Sequence, residues 1–459
     1  MVSLALRCVV TLVVLGSGIA LAQTPDAQSA PPPSDGQIAQ EDRIAELERT
    51  VKVLADELER TRADVSVPED EALESRYGLG PAASKIFGVA RGLSLGGYAE
   101  GNYQAIVNDA NGEKNHTDLY RAVIYVGYKF NESWVFNSEI EFEHATTEAT
   151  ATSGPGAVSV EFATLDYFWR PEANARAGLV LVPMGFLNEV HEPPYFYGVF
   201  RPLVERYLIP TTWSENGVGV FGEIAEQVEY ALYVTNGLNA RGYEASGIRE
   251  GRQKGNEALA EDPAFTGRLD WTPLPGLLLG VSTFVGNSGQ DQSFDVTGVP
   301  DPVKLPSALT ALWDLHAQYE WQGLKLRGLF TMTHIDDAGS LTLALRPEDQ
   351  GGIGMIGDTE VIASDLIGGY AEVGYDVLQW ILPESDASLE PFFRFEYLDT
   401  QWKVPSGFTR DNANELQVYT VGLQYRPIPN VVLKADYRNV TADAGSAPDE
   451  INLGIGLAF

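Results

Sequence analysis

The chain of 459 residues is poor in cysteine, histidine, basic side chains and long apolar runs. Its one cysteine, Cys8, excludes a disulfide framework and a cysteine-ligated zinc site. Its five histidines, at positions 116, 144, 191, 316 and 334, include no HExxH-type pair, so no metal site is expected. There is no P-loop and no GxSxG motif, and neither a catalytic residue nor a cofactor is expected. Lys and Arg total 31 against 64 Asp and Glu, a formal net charge of -33. Phosphate contacts need a basic surface, so nucleic-acid binding is excluded. Beyond the N-terminus no apolar run reaches the roughly 20 residues of a membrane-spanning helix. The best, Leu274 to Gly286, is interrupted by Pro275 and Ser282.

What is present begins with an export signature. Arg7 supplies a positive start, Val9 to Leu15 a short apolar core, and Ala20-Leu21-Ala22 a cleavage site. Residues 1–22 are therefore expected to be a signal peptide. Residues 23–36, with Pro31, Pro32 and Pro33 in a row, read as a linker. Over 37–67, Ile44, Leu47, Val51, Leu54 and Leu58 recur at 3,4,3,4 spacing. That seam predicts a short coiled-coil helix, with a lone amphipathic helix as the alternative. Pro68 and the acidic run Glu69 to Glu71 end it, and 68–92 is expected to be a second linker.

From Leu93 the period changes to two. Ala122, Ile124, Val126, Tyr128 and Phe130 alternate with Arg121, Val123, Tyr125, Gly127 and Lys129. Leu324, Leu326, Phe330 and Met332 alternate with Lys325, Arg327, Thr331 and Thr333. One apolar and one charged face is the pattern of a membrane-barrel strand. Strands are predicted near 93–107, 117–130, 133–145, 157–169, 173–182, 215–224, 227–236, 263–271, 276–286, 309–321, 323–334, 363–377, 388–398, 415–426, 430–440 and 449–459. The fold class is thus all-β, a transmembrane antiparallel barrel of about 16 strands over 93–459, preceded by the helix.

Connection lengths support this. Short turns alternate with long loops such as 183–214, 237–262, 287–308 and 335–362, and the turn at 378–387 is longer than its class. Phe130, Trp134, Trp169, Trp271, Trp321, Tyr425 and Phe459 gather at the short-turn ends, as a periplasmic aromatic girdle would. The outer loops are acidic, with Asp291, Asp295, Asp301, Asp336, Asp337, Glu348, Asp349 and Asp358. They read as a solubilising surface or as a divalent-cation bridge to lipopolysaccharide.

The last residues, Ile451 to Phe459, alternate apolar side chains up to a terminal Phe. They resemble the signal by which the barrel-assembly machinery recognises outer-membrane proteins. Together with the barrel pattern, the opening Leu93-Ser94-Leu95-Gly96-Gly97-Tyr98 and the long loop after the fifth strand, they make residues 38–459 similar to Gram-negative porins. The resemblance is greatest to the phosphate-selective group (the O and P type) and to dicarboxylate-type porins with an N-terminal periplasmic coiled coil. It implies a homotrimer in outer-membrane lipid, each barrel holding a water-filled pore for small hydrophilic, charged solutes and ions.

Loop 183–214 carries Phe186, Tyr195, Phe196, Tyr197, Phe200, Tyr207 and Trp213, more aromatics than an exposed loop holds. It is expected to fold inward and narrow the pore. Its Glu189, His191, Glu192, Arg201, Glu205 and Arg206 are the constriction candidates. Parity assigns to the lumen the basic residues Arg121, Lys129, Arg176, Arg268, Lys325, Arg327, Arg394, Lys434 and Arg438. It also assigns the acids Glu139, Glu141, Glu143, Glu161, Asp270, Glu320, Glu372, Asp376, Glu396 and Asp436. The arginines resemble the anion-guiding set of the phosphate-selective group, while the interleaved acids depart from it. A structural tether or adhesin and an outer-membrane enzyme are the other function classes.

Overall fold

A computed structural model describes residues 43, 46–55, 74–108, 112–151 and 153–459. They fall in two compact units divided at residue 60. In the first, residues 43 and 46–55 are helical, and Leu47, Val51 and Leu54 of the expected seam are exposed. The expected signal and linker (1–22 and 23–36), Ile44, Leu58 and residues 56–73 lie outside the described residues. No described helix is long and apolar enough to cross a membrane.

The second unit is a closed barrel of sixteen antiparallel strands. β1–β9 are Gly92–Val107, His116–Lys129, Trp134–Glu143, Val158–Arg170, Ala173–Leu181, Ser214–Ala225, Val228–Asn236, Pro263–Leu274 and Leu277–Gly286. β10 (Ser293–Phe294) and β11 (Val303–Lys304) form a separate two-stranded ribbon in the next loop. β12–β18 are Thr310–Trp321, Leu324–Ile335, Asp365–Tyr375, Ser388–Lys403, Glu415–Ile428, Val431–Ala442 and Asp449–Ala458. β1 closes on β18 from Tyr98↔Ala458 to Val107↔Asp449.

All sixteen expected strands are present. β15 runs on past the expected end at 398 to Lys403, where it pairs with Asp365; Asp399 to Gln401 are polar and carry no alternation to read. The connections at one end are short, as at Gln322-Gly323, where both residues take left-handed φ values of 44° and 78°. The exception spans 376–387 and contains the helix Leu378–Ile381. Another helix, Ala338–Leu345, lies in the loop after β13.

The barrel is polar inside and apolar outside. Leu453 and Ile455 on β18 are 50% and 54% exposed, whereas Glu139 on β3 and Arg394 and Glu396 on β15 are fully buried. Exposed apolar rows of this extent are stable only against lipid, and the strands present them all around.

Residues 74–91, expected as part of the second linker, have a defined place. They fold into the barrel as a strap. Leu79, Ala82 and Ala83 pack on Tyr98, Val123, Tyr125 and Phe162 of β1, β2 and β4. Ile86 fills the space left by Gly127, where a Cβ would lie 2.9 Å from Ile86 Cγ1. In β4 a register shift places Glu161 and Phe162 both inward, widening this seat.

Candidate functional site

The interior is organised by the loop 182–213, hereafter the inward loop. Asn188 draws its two ends together: Nδ2 donates to Val182 O (2.6 Å) and Trp213 O (2.9 Å), and Oδ1 accepts from Trp213 N (2.7 Å). The apolar residues of the loop, among them Met184, Leu187, Val204, Leu208, Ile209 and Trp213, form a core with Leu238, Tyr243 and Leu341 from the outer loops. That core explains the loop's aromatic and aliphatic composition.

From the 3-10 turn Pro193–Tyr195 to Arg201 the inward loop runs along the wall as bent, irregular chain, and wall cations hold its carbonyls. Arg426 Nη1 donates to Pro194 O (2.9 Å) and Lys434 Nζ to Phe196 O and Gly198 O (2.8 Å each). Arg394 Nη1 donates to Tyr197 O (3.0 Å) and Nη2 to Phe200 O (3.4 Å). Arg327 and Arg438 reach Tyr195 O and Arg201 O at 3.5 Å. Wall acids take the amides: Asp436 Oδ2 accepts from Val199 N (2.7 Å), Glu396 Oε2 from Val204 N (3.3 Å) and Asp314 Oδ2 from Gly185 N (3.1 Å). Irregular chain leaves most of its peptide groups without internal partners, so the wall supplies them. Tyr197 lies on Gly374, where a Cβ would come within 2.6 Å of its Cε2, and Pro193 lies in the same way on Gly456.

These contacts divide the residues expected in the lumen. Arg394, between Glu372 (3.1 Å) and Glu396 (3.0 Å), has its donors committed, as does Lys434, and the Asp436 carboxylate accepts from Val199 N and Asn452 Nδ2. Arg176 grips Asp166 through two 2.8 Å bonds, and its Nη1 donates to Tyr77 O of the strap (3.1 Å). Arg121 pairs with Glu100 (2.9 Å) and Glu141 (3.2 Å), Lys129 with Glu132 (3.2 Å) at a short turn, and Lys325 with Glu390 (3.3 Å). Arg268 bridges Glu189 (3.3 Å) and Asp270 (2.8 Å), and donates to Gly185 O.

The six constriction candidates separate as well. Glu205 braces the loop internally, accepting from Phe186 N (2.9 Å), Leu187 N (2.7 Å) and Tyr370 Oη (2.6 Å). His191 is buried, with Nδ1 donating to Asn188 O and Nε2 3.2 Å from Glu139 Oε1. Burial, with Arg201 and Arg121 nearby, pushes its pKa down to about 3. Glu192 reaches the strap, where its carboxylate accepts from Ala82 N (2.9 and 3.1 Å) and Ala83 N (3.3 Å). Burial pushes Glu192 up to about 8 against the pull of those amides.

The remaining three candidates face open space. Glu189 borders an inner chamber of about 560 Å³ between the strap, the inward loop and the wall. Burial, partly offset by Arg268, pushes its pKa up to about 7. Arg201 and Arg206 border a smaller outer chamber of about 70 Å³ with Arg121, Arg249 and Arg438, against Glu100 and Glu143. Arg201 Nη2 is buried there without a hydrogen-bond partner. Burial and the neighbouring Arg252, Arg206 and Arg201 push Arg249 down to about 9. Phe196 borders both chambers, with Lys434 Nζ 3.6 Å from its ring centre.

Four features escaped the sequence reading. Glu390 shares the parity of Arg394 and Glu396, and Arg426 on β16 is in register with Ser388, which is of that same parity. Asp314 and His316 share the parity of Glu320; His316 Nδ1 is 2.6 Å from Asp314 Oδ1 and its Nε2 3.0 Å from Asp270 Oδ1. Arg249 and Arg252 come from the loop 237–262, whose inward turn has no local signal; Arg252 Nη1 donates to Thr211 O at 2.7 Å. The strap did leave one. Tyr98, Val123, Tyr125 and Phe162 are apolar side chains on the inner face, where a water-filled lumen needs none.

No protein-family model matches the chain. An uncharacterized protein of Aquifex aeolicus (strain VF5) is 36% identical over 383 residues, 82% of each chain. Among solved structures, OmpF of Salmonella typhi in complex with daunomycin aligns over 81% of this chain and 98% of its own, with 14% identity and a TM-score of 0.51. The outer membrane channel DcaP of Acinetobacter baumannii aligns over 81% and 98%, with 11% identity and a TM-score of 0.50. A loop-deletion mutant of OmpT, an outer membrane protein of Vibrio cholerae, aligns over 81% and 100%, with 11% identity and a TM-score of 0.50. At these identities the likeness is one of fold, the closed sixteen-stranded barrel of the porins.

Proposed function

The chain belongs to one family with the Aquifex aeolicus protein, and on that premise and the interior geometry we propose that it is a bacterial outer-membrane porin. It passes small hydrophilic solutes, anions in preference, down their own gradients. The observation that carries this reading is the outer chamber, where Arg201 and Arg206, in no ion pair among the described residues, stand beside Arg121, Arg249 and Arg438, which are paired with Glu100 and Glu141, with Glu250 and with Glu450 respectively. A guanidinium keeps its charge at any physiological pH, so burial and crowding of these groups raise the local positive potential. An anion entering there exchanges hydration water for N–H donors, and Arg201 Nη2 has one to spare. Phe196 borders both chambers, so in this reading a solute moving from one to the other passes it. The inward loop is held there by wall cations that bind its carbonyls. No bond is made or broken in this mechanism.

Self-association fits the same reading. Leu47, Val51 and Leu54 of the N-terminal helix expose an apolar seam that a second and third copy would cover. We place the short turns and that helix on the periplasmic side and the acidic loops outside, toward lipopolysaccharide.

The test is single-channel current in a planar bilayer under a salt gradient. The expected wild-type result is stepwise openings in groups of three and an anion-side reversal potential. Substituting both Arg201→Gln and Arg206→Gln should move that potential toward zero. A folded barrel that passes no current would refute the pore and favour the tether reading.

A further inference from the structure

We propose that the strap is part of the solute path, and that Arg76 on it is a charge-selectivity residue of the inner chamber. The inference rests on the pore reading. Strap residues Ser75, Arg76, Tyr77, Gly78 and Pro81 border the inner chamber opposite the inward loop. Arg76 and Pro81 also border a wider chamber of about 990 Å³ at the short-turn end, with Lys325, Asp376 and Arg426. A solute passing between these two spaces passes Arg76.

The strap is held firmly enough to serve as a wall. Glu192 holds the amides of Ala82 and Ala83, Asn137 Nδ2 donates to Ala83 O (2.9 Å), and Arg176 holds Tyr77 O. Its tip is a tight turn closed by Leu79 N donating to Arg76 O (3.1 Å). Tyr77 and Gly78 at its centre have φ values of 54° and 73°. A tyrosine in the left-handed region is disfavoured because its Cβ crowds the following carbonyl oxygen. Packing of the Tyr77 ring on Phe87, Phe168 and Phe221, at 4.9, 5.1 and 5.5 Å between centres, offsets that cost.

Arg76 is exposed, whereas the other cations around the inner chamber are part-buried. Lys325 and Arg426 are both on Glu390, Arg268 is on Glu189 and Asp270, and Arg327 donates to Gln318 Oε1 (3.0 Å) and lies over the Phe186 ring. Among the described residues Arg76 reaches only Glu74 of its own segment, at 3.5 Å, with both side chains well exposed. Its charge is therefore available to a passing ion.

The experiment uses the full chain carrying Arg76→Cys, in a bilayer, with a negatively and then a positively charged methanethiosulfonate reagent added at the short-turn side. Mass spectrometry confirms modification. The expected result is a shift of reversal potential toward cations with the sulfonate and a return toward the wild-type value with the ammonium reagent. Arg76→Glu should shift the potential as the sulfonate does. Modification that leaves the reversal potential unchanged, or a cysteine that no reagent reaches, would overturn the proposal. Absence of current in the wild-type chain would instead overturn the pore reading, so the two failures are distinguishable.

Discussion

Gly280 is the position where one methyl group should undo a clamp. β9 lies between β8 and β12, and Gly280 is in register with Asp270 on one side and His316 on the other. The His316 and Asp270 side chains meet above it at 3.0 Å. A Cβ at Gly280 would overlap both, lying 2.5 Å from His316 Cε1. The ring has little room to retreat. Its Nδ1 is bonded to Asp314 at 2.6 Å, and Phe186 packs on it with ring centres 5.0 Å apart. Gly280 does not have a positive φ, so Gly280→Ala adds no backbone strain of that kind and its effect is steric. Loss of one hydrogen bond to a charged group is worth about 1.5–3 kcal/mol, and the reduced freedom of the unfolded chain returns about 0.4–1. The expected net loss is about 0.5–2.6 kcal/mol of barrel stability. Urea unfolding in lipid vesicles, followed by tryptophan emission, would measure it. Because Asp314 also holds Gly185 N at the start of the inward loop, noisier open-channel current should accompany the loss. The control is His316→Ala, in whose background Gly280→Ala should cost almost nothing. An equal cost in both backgrounds would refute the argument.

Other outcomes are expected. Glu189 ionises at about 7, so lowering pH from 8 to 6 should remove its charge and move the reversal potential toward anions. Comparison with Glu189→Gln, which should lack that component, checks the assignment. Arg394→Met leaves Glu372 and Glu396 buried without their cation and frees Tyr197 O and Phe200 O. Breaking a buried pair in this way costs about 3–5 kcal/mol, readable as a lower urea midpoint. Trp380 is 79% exposed, yet its Nε1 donates to Tyr375 Oη at the end of β14, two residues from the outward-facing Val373. A fluorophore at Trp380→Cys should therefore be quenched by shallow doxyl lipids; quenching by aqueous iodide alone would show the turn clear of the membrane.

Most of the barrel was legible because strand parity is a local property. A period of two and the turn chemistry between strands are written in consecutive residues, and they were enough to find even β5, the weakest strand. Parity also placed Arg394, Lys434 and Glu139 inside. It could not separate them by role, since a cation that binds a passing ion and one that holds a carbonyl look alike in sequence. Lys434 is an example: the partners that occupy it, Phe196 O and Gly198 O, are more than two hundred positions away.

The sequence by itself determined the strand order, the apolar exterior, the long loop with its aromatic load and the sign of the outer loops. Each follows from neighbours a few residues apart. Only the tertiary structure decided that residues 74–91 enter the barrel, that Glu192 binds them, and that Arg249 and Arg252 join Arg201 and Arg206. Those contacts close loops of tens to hundreds of residues. They depend on where glycines such as Gly127, Gly280 and Gly374 leave space on the wall, and such space exists only once the strands are assembled.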